Sequence, residues 1–169
     1  MNKYKDPQVF ADHSIRRKVE SIKRQKIVGK KVVSLAEYRE LQMKGDLRSI
    51  LVVDDDEVMR SGLKRILEAE GYRVLLAVDG LELSKTLENT RLDLILLDVN
   101  LPWVDGFELC RMLKDHPVLK QVPLILVSAR KSKGDIEMGF AAGCDDYITK
   151  PFDVDYINQV IHKMLAKAL

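Results

Sequence analysis

Cysteine is scarce in this chain: Cys110 and Cys144 are the only two among 169 residues, and their spacing matches no metal-ligand or redox motif. Such residues are expected to pack as small hydrophobes and not to pair as a disulfide. Long apolar runs are also missing. No stretch approaches the roughly 18 residues that span a bilayer, and the N-terminal MNKYKDPQVFADHSIRRK lacks the apolar region of a secretion signal. The expectation is a cytoplasmic protein with no membrane insertion. The three histidines, His13, His116 and His162, have no partner spacing and read as solvated or core residues. There is no internal repeat and no low-complexity segment. What remains is a composition 46% hydrophobic and 32% charged, that of one globular domain with a real core and a short appendage.

The net charge of +2 hides an asymmetry. Residues 1–46 hold 12 Lys/Arg against 6 Asp/Glu, a net of +6, and residues 47–169 hold 16 against 20, a net of −4. The chain thus divides into a basic N-terminal arm, 1–46, and an acidic domain, 47–169. In the arm, Ser34-Leu-Ala-Glu37 has the capping-box pattern, with Val33 and Tyr38 spaced as a hydrophobic staple, and opens a helix of about ten residues that Gly45 can close. A weaker helical pattern starts at Ser14, with Ile15, Val19 and Ile22 on one face. Neither helix is long enough to stand alone, so each must dock on something.

In the acidic domain, short apolar runs alternate with amphipathic stretches. The predicted strands are 50–53, 73–77, 94–97, 124–127 and 147–149, and the predicted helices are 57–70, 79–89, 105–115, 132–142 and 153–168. The first helix stops at Gly71, and Asn89 is an end signal for the second. Five strand–helix alternations imply an α/β fold with a five-stranded parallel sheet, doubly wound and covered on both faces, whose ligands bind outside the carboxyl ends of the strands.

Acids gather at those ends. Asp54, Asp55 and Asp56 follow Ile50–Val53, and Asp98 ends Leu94–Leu97. Two carboxylates about 4 Å apart repel by roughly 4 kcal/mol at an effective dielectric of 20, so a cluster of three needs protons or a cation. Mg²⁺ suits carboxylate and carbonyl oxygens, keeps several waters, and leaves positions for phosphate oxygens. The pattern suggests a metal-assisted phosphoryl site.

The runs ILVVDDD and LILLDVNLPWVDG, the VSA at 127–129 and the DDYITKPF at 145–152 together resemble the receiver domain of bacterial two-component response regulators, over about residues 48–169. The resemblance implies a flavodoxin-like sheet in the order 2-1-3-4-5. It also implies that Asp98 is the phosphoacceptor, served by a sensor histidine kinase or a histidine phosphotransfer protein. Asp55 and Asp98 would bind Mg²⁺ directly with the carbonyl of Asn100, and Asp54 would act through water. Lys150 would pair with a phosphoryl oxygen. Ser128 would be the switch hydroxyl, helped by backbone N–H groups near Val99 and Ala129, and Tyr147 the aromatic residue that reports the site's state. Pro151 would follow a cis peptide bond. Such a protein is a switch, with at most slow self-phosphorylation and autodephosphorylation.

Other residues have plainer readings. Asp56 reads as a helix N-cap, Asp105-Gly106 as the turn and cap before the third helix, Asp145 and Asp146 as loop and surface acids, and Trp103 as a cover for the loop beside the site. The enzymatic rival is a haloacid-dehalogenase-type phosphatase, with Asp54 as nucleophile and Asp56 as acid/base in Val53–Val58. It leaves Asp98 and the LPWVDG after it unexplained.

No output domain follows the last predicted helix, so the output expected is a downstream protein partner or a phosphorelay step, unless an output domain has been cut away. A homodimer through the fourth helix, fifth strand and fifth helix, or through the arm, is a further expectation. Glu137 and Met138 stand where winged-helix regulators carry a basic residue at that dimer face. Nucleic acid is the weaker reading for the arm, which has no aromatic or arginine-rich reading surface.

Overall fold

The structure, a computed structural model, describes residues 47–167. The arm, with both of its predicted helices and His13, lies outside the described residues. Five strands, β1 (Ser49–Val53), β2 (Arg73–Ala77), β3 (Leu94–Leu97), β4 (Leu124–Ser128) and β5 (Asp146–Thr149), alternate with five helices. The helices are α1 (Glu57–Ala69), α2 (Gly80–Asn89), α3 (Gly106–Asp115), α4 (Lys133–Ala141) and α5 (Val154–Lys167), and one 3-10 turn, Leu119–Gln121, precedes β4. The sheet order is β2-β1-β3-β4-β5, with every neighbouring pair parallel.

The two-residue period of a strand sorts the core into two layers. Ile50, Val52, Leu94, Leu96, Ile125, Val127 and Ile148 face α1 and α5, meeting Leu63, Leu67, Ile157, Ile161 and Leu165. Leu51, Val53, Ile95, Leu97, Leu124, Leu126 and Tyr147 face the other way, toward Leu83, Leu109, Cys110, Leu113 and Ala142. Burial of each large side chain stabilises the fold by about 1.5–3 kcal/mol, and because both layers are apolar the strands read as continuous hydrophobic runs. Cys110 and Cys144 are free thiols inside the core.

Caps set the helix starts. The carboxylates of Asp56, Asp79 and Asp105 each accept two backbone N–H groups of the first turn, and Ser132 and Asp135 form a reciprocal capping box on α4. Gly71, at φ 85°, reverses the chain after α1 in a left-handed conformation that favours glycine. Asn89 differs from its expected role: it remains inside α2, and its side-chain amide donates to the Lys85 carbonyl at 2.7 Å. The chain leaves α2 through Thr90 in an extended conformation, so no left-handed residue is needed there.

Asp145 is exposed but not idle. It pairs with Lys114 at 2.7 Å and accepts the Leu124 N–H at 2.8 Å, which fixes the start of β4. Arg48 donates to the carbonyl of Leu165 at 2.9 Å and ties the approach to β1 to the last turns of α5.

Candidate functional site

The parallel sheet ends all of its strands on one side, and the polar residues after β1, β3, β4 and β5 meet there. Asp98 hangs from the end of β3, its N–H bonded to the Val53 carbonyl at 2.8 Å. It is 6% exposed and Asp54 3%, whereas Asp55 faces solvent. Carboxylate oxygens of Asp54, Asp55 and Asp98 lie within 4.8 Å of one another. All three donors are hard oxygens and one is open to water, which suits Mg²⁺ and not a thiophilic metal.

Lys150 enters from the end of β5. Its ammonium is 2.7 Å from Asp54 Oδ2 and 3.3 Å from Asp98 Oδ1. The other Asp54 oxygen accepts the Asp56 N–H at 2.8 Å, and Arg60 donates to the Asp54 carbonyl at 2.8 Å. Burial raises the pKa of Asp98, the Lys150 charge opposes that rise, and Asp54 and Asp55 reinforce it. For Lys150 burial disfavours the charge, but hydrogen bonding and attraction from Asp54 and Asp98 outweigh it, and its pKa ends above the usual value. The Lys150-Pro151 peptide bond is cis.

The loop after β3 is held close to the site. Gly106 N–H donates to the Val99 carbonyl at 2.9 Å, and Asn100, exposed, bridges to Asp105. A Cβ at Gly106 would fall 2.4 Å from Val99 Cα and 2.5 Å from the Asp98 carbonyl, so glycine is what lets α3 begin directly against the acid-bearing backbone. Trp103 is half-buried beside this loop and donates its indole N–H to the Val78 carbonyl at 3.0 Å.

Ser128 is fully buried at the end of β4, and its Oγ accepts the Arg130 N–H at 3.1 Å. Ala129, next along, is exposed. Tyr147 lies inside, 8% exposed, with its hydroxyl donating to the Arg130 carbonyl at 2.7 Å. Burial raises its pKa, against a hydrogen bond with Ser128. The Arg130 side chain is ion-paired to Asp135 at 2.9 Å and lies 5.1 Å over the Phe107 ring.

Two contributors, Arg60 and Gly139, escape a reading by motif, and the contacts of a third, Arg130, go beyond what its place two residues after Ser128 implies. Arg60 acts on a backbone carbonyl, which no residue pattern encodes. Arg130 links the Ser128 loop, α3 and α4 through its carbonyl and guanidinium together. Gly139 gives room to Tyr147, since a Cβ there would sit 2.7 Å from Tyr147 Cδ2; a glycine inside a predicted helix was its one visible signal.

Residues 50–162 match the response regulator receiver domain family. The chain belongs to this family. Among curated relatives of the receiver, the transcriptional regulatory protein CseB of Streptomyces coelicolor is 43% identical over 108 residues, which are 64% of this chain and 45% of that protein. The alkaline phosphatase synthesis transcriptional regulatory protein PhoP of Bacillus subtilis is 38% identical over 121 residues, 72% of this chain and 50% of that protein. The chain spans about half the length of the curated relatives it matches. The CheY-like receiver domain of Methanospirillum hungatei superposes with a TM-score of 0.67 at 32% identity, covering 73% of this chain and 97% of that one. The receiver domain of the sensor histidine kinase PA1611 of Pseudomonas aeruginosa, solved with magnesium in its active-site cleft, gives 0.65 at 31% identity, covering 72% and 99%. Receiver membership leaves the haloacid-dehalogenase reading without support, and Asp56, its supposed acid/base, is engaged as the cap of α1. Among the described residues no helix is long and apolar enough to cross a membrane.

Proposed function

We propose that this receiver is a phosphorylation-activated switch with Asp98 as its phosphoacceptor. One observation carries the reading: Asp98 is buried at the end of β3, beside two further carboxylates and 3.3 Å from the Lys150 ammonium. A carboxylate so placed is a positioned nucleophile with a cation at hand for a phosphoryl oxygen. An Asp98 oxygen bonds to phosphorus as the N–P bond of a donor phosphohistidine breaks, and the donor imidazole leaves with that electron pair.

Mg²⁺, held by Asp55, Asp98 and the Asn100 carbonyl and by Asp54 through water, would supply the positive charge that spreads over the transferring group. Lys150 pairs with one phosphoryl oxygen. The Ser128 hydroxyl, with the N–H groups of Val99 and Ala129, donates to others. Ser128 then gives up its present bond from the Arg130 N–H, and Tyr147, whose hydroxyl is tied to the same residue's carbonyl, moves with that loop. Occupancy of the site so reaches the face formed by α4, β5 and α5.

The donor is a histidine kinase or a histidine phosphotransfer protein, and any self-phosphorylation or autodephosphorylation is slow. The output is a protein contact or a dimer through the α4, β5, α5 face, the setting is cytoplasmic, and residues 1–46 form a segment distinct from the receiver. Labelling with a phosphohistidine donor and Mg²⁺ is expected to place the phosphoryl group on Asp98 and to vanish in Asp98→Asn. Persistent labelling of Asp98→Asn, or phosphatase turnover lost in Asp54→Asn and kept in Asp98→Asn, would overturn the reading.

A further inference from the structure

The receiver is electrically lopsided. Its strand-end loops and first helical turns, residues 54–60, 78–82, 98–108, 128–135 and 150–155, carry twelve Asp/Glu against five Lys/Arg, a net of −7. The rest of residues 47–167 carries eight against eleven, a net of +3. All of the domain's excess negative charge is therefore at the mouth of the site. Asp55, Asp56, Glu57, Glu82, Asp153 and Asp155 of that mouth are exposed, and exposed apolar residues, Val58, Leu81, Val154 and Tyr156, interrupt them at the starts of α1, α2 and α5.

The same chain contains the complement. Residues 14–31 hold eight Lys/Arg against the single acid Glu20, a net of +7, interleaved with Ile15, Val19, Ile22, Ile27 and Val28. We infer that residues 14–31 of this chain seat intramolecularly on the acidic mouth and compete there with Mg²⁺ and with the phosphodonor. Charge complementarity selects this face, because the rest of the domain, taken together, is net positive. Reach is sufficient. From the opposite pole, where the arm joins at Leu47 and Arg48, to the mouth is about the length of the 14-residue α5, roughly 21 Å at ~1.5 Å per residue. Residues 32–46 span up to about 50 Å when extended, and about 32 Å if ten of them are helical. The apolar residues of the segment meet the apolar rim, and its basic residues screen carboxylates that repel one another.

The competition with the phosphodonor rests on the phosphoacceptor reading; the seating does not. The full-length protein, dilute and metal-free at low salt, is treated with a carbodiimide, which joins lysine amines to carboxylates in contact, and the cross-linked peptides are identified by mass spectrometry. Cross-links within one chain from Lys18, Lys23, Lys26, Lys30 or Lys31 to the mouth acids are expected, equally in Asp98→Asn, so that loss of phospholabelling and loss of seating are separate results. In parallel, Mg²⁺ affinity read from Trp103 fluorescence is expected to tighten at least about threefold in the variant carrying Arg16→Glu, Arg17→Glu, Lys18→Glu, Lys23→Glu, Arg24→Glu and Lys26→Glu. That difference should disappear at 1 M salt, where screening acts over about 3 Å. Cross-links only between two chains, cross-links to the opposite pole, none at all, or a Mg²⁺ affinity indifferent to the arm's charge would each overturn the inference.

Discussion

At the scale of single residues, Asp98 is an acid held in an environment that disfavours its charge. Burial holds its pKa above the ordinary 3.8, with Asp54 and Asp55 adding to the rise and Lys150 opposing it. A carboxyl whose folded pKa is raised binds its proton more tightly folded than unfolded. Its contribution to stability is therefore full below the unfolded pKa and is lost as pH rises through the folded one. At pH 7 the ionised Asp98 costs stability in the metal-free protein. Asp98→Asn is expected to raise the metal-free melting temperature at pH 7, with the gain fading as pH falls toward 3.8. Thermal melts across that range check this, and a lower melting temperature for the variant at pH 7 would contradict it. Asp54, Asp55 and Asp98 were legible in the sequence because strand ends in a parallel sheet converge, so acids after two apolar runs must meet; Lys150 was legible only through the resemblance of its motif to that of receiver domains. Arg60 was not, since its partner is a carbonyl whose direction depends on how α1 leaves β1.

At the scale of elements, the helix starts could be read because an N-cap is a local matter between an acid and the next two or three N–H groups. The pairing of α4 with β5 was hidden. It rests on Gly139, whose missing Cβ leaves space for the Tyr147 ring, with Leu126 Cδ1 also only 3.0 Å from where a Cβ would stand. Gly139→Ala sets two effects against each other. Helix propensity favours alanine by about 1 kcal/mol, and overpacking costs about 1–3 kcal/mol, so the ring is expected to yield by turning outward. Burial now raises the Tyr147 pKa above its ordinary 10.0; in the variant the phenol should titrate closer to that value, as ultraviolet titration would show. An unshifted titration would mean that α4 moved and the ring stayed. Asn89 teaches the same lesson in reverse. Its local signal marked the end of α2, and the helix does end there, but the chain leaves through an extended Thr90, so a left-handed cap was unnecessary.

For the whole molecule, the fold class was readable because five alternations with continuous apolar strands admit few topologies, whereas the sheet order came from the resemblance to receiver domains. The concentration of negative charge at the mouth of the site was not readable, since acids from five segments sum only after folding. The acidic pole stores repulsion that a bound cation relieves. Mg²⁺ at a hundred times its dissociation constant is expected to stabilise the domain by about 2.7 kcal/mol, a rise in melting temperature of roughly 10 °C at ~4 °C per kcal/mol. The shift should be largely lost in Asp55→Asn, a solvent-facing position whose substitution disturbs no packing. Melts with Mg²⁺ and with a chelator measure it, and an equal shift in the variant would remove Asp55 from the cation site.

The bond from Arg48 to the Leu165 carbonyl fastens the way into the domain to the way out of it. Both lie at the pole away from Asp98. The described residues thus make a cassette with a single doorway: spliced into a surface loop of a host protein, the domain would need only short joints, and its reactive end would point away from the host.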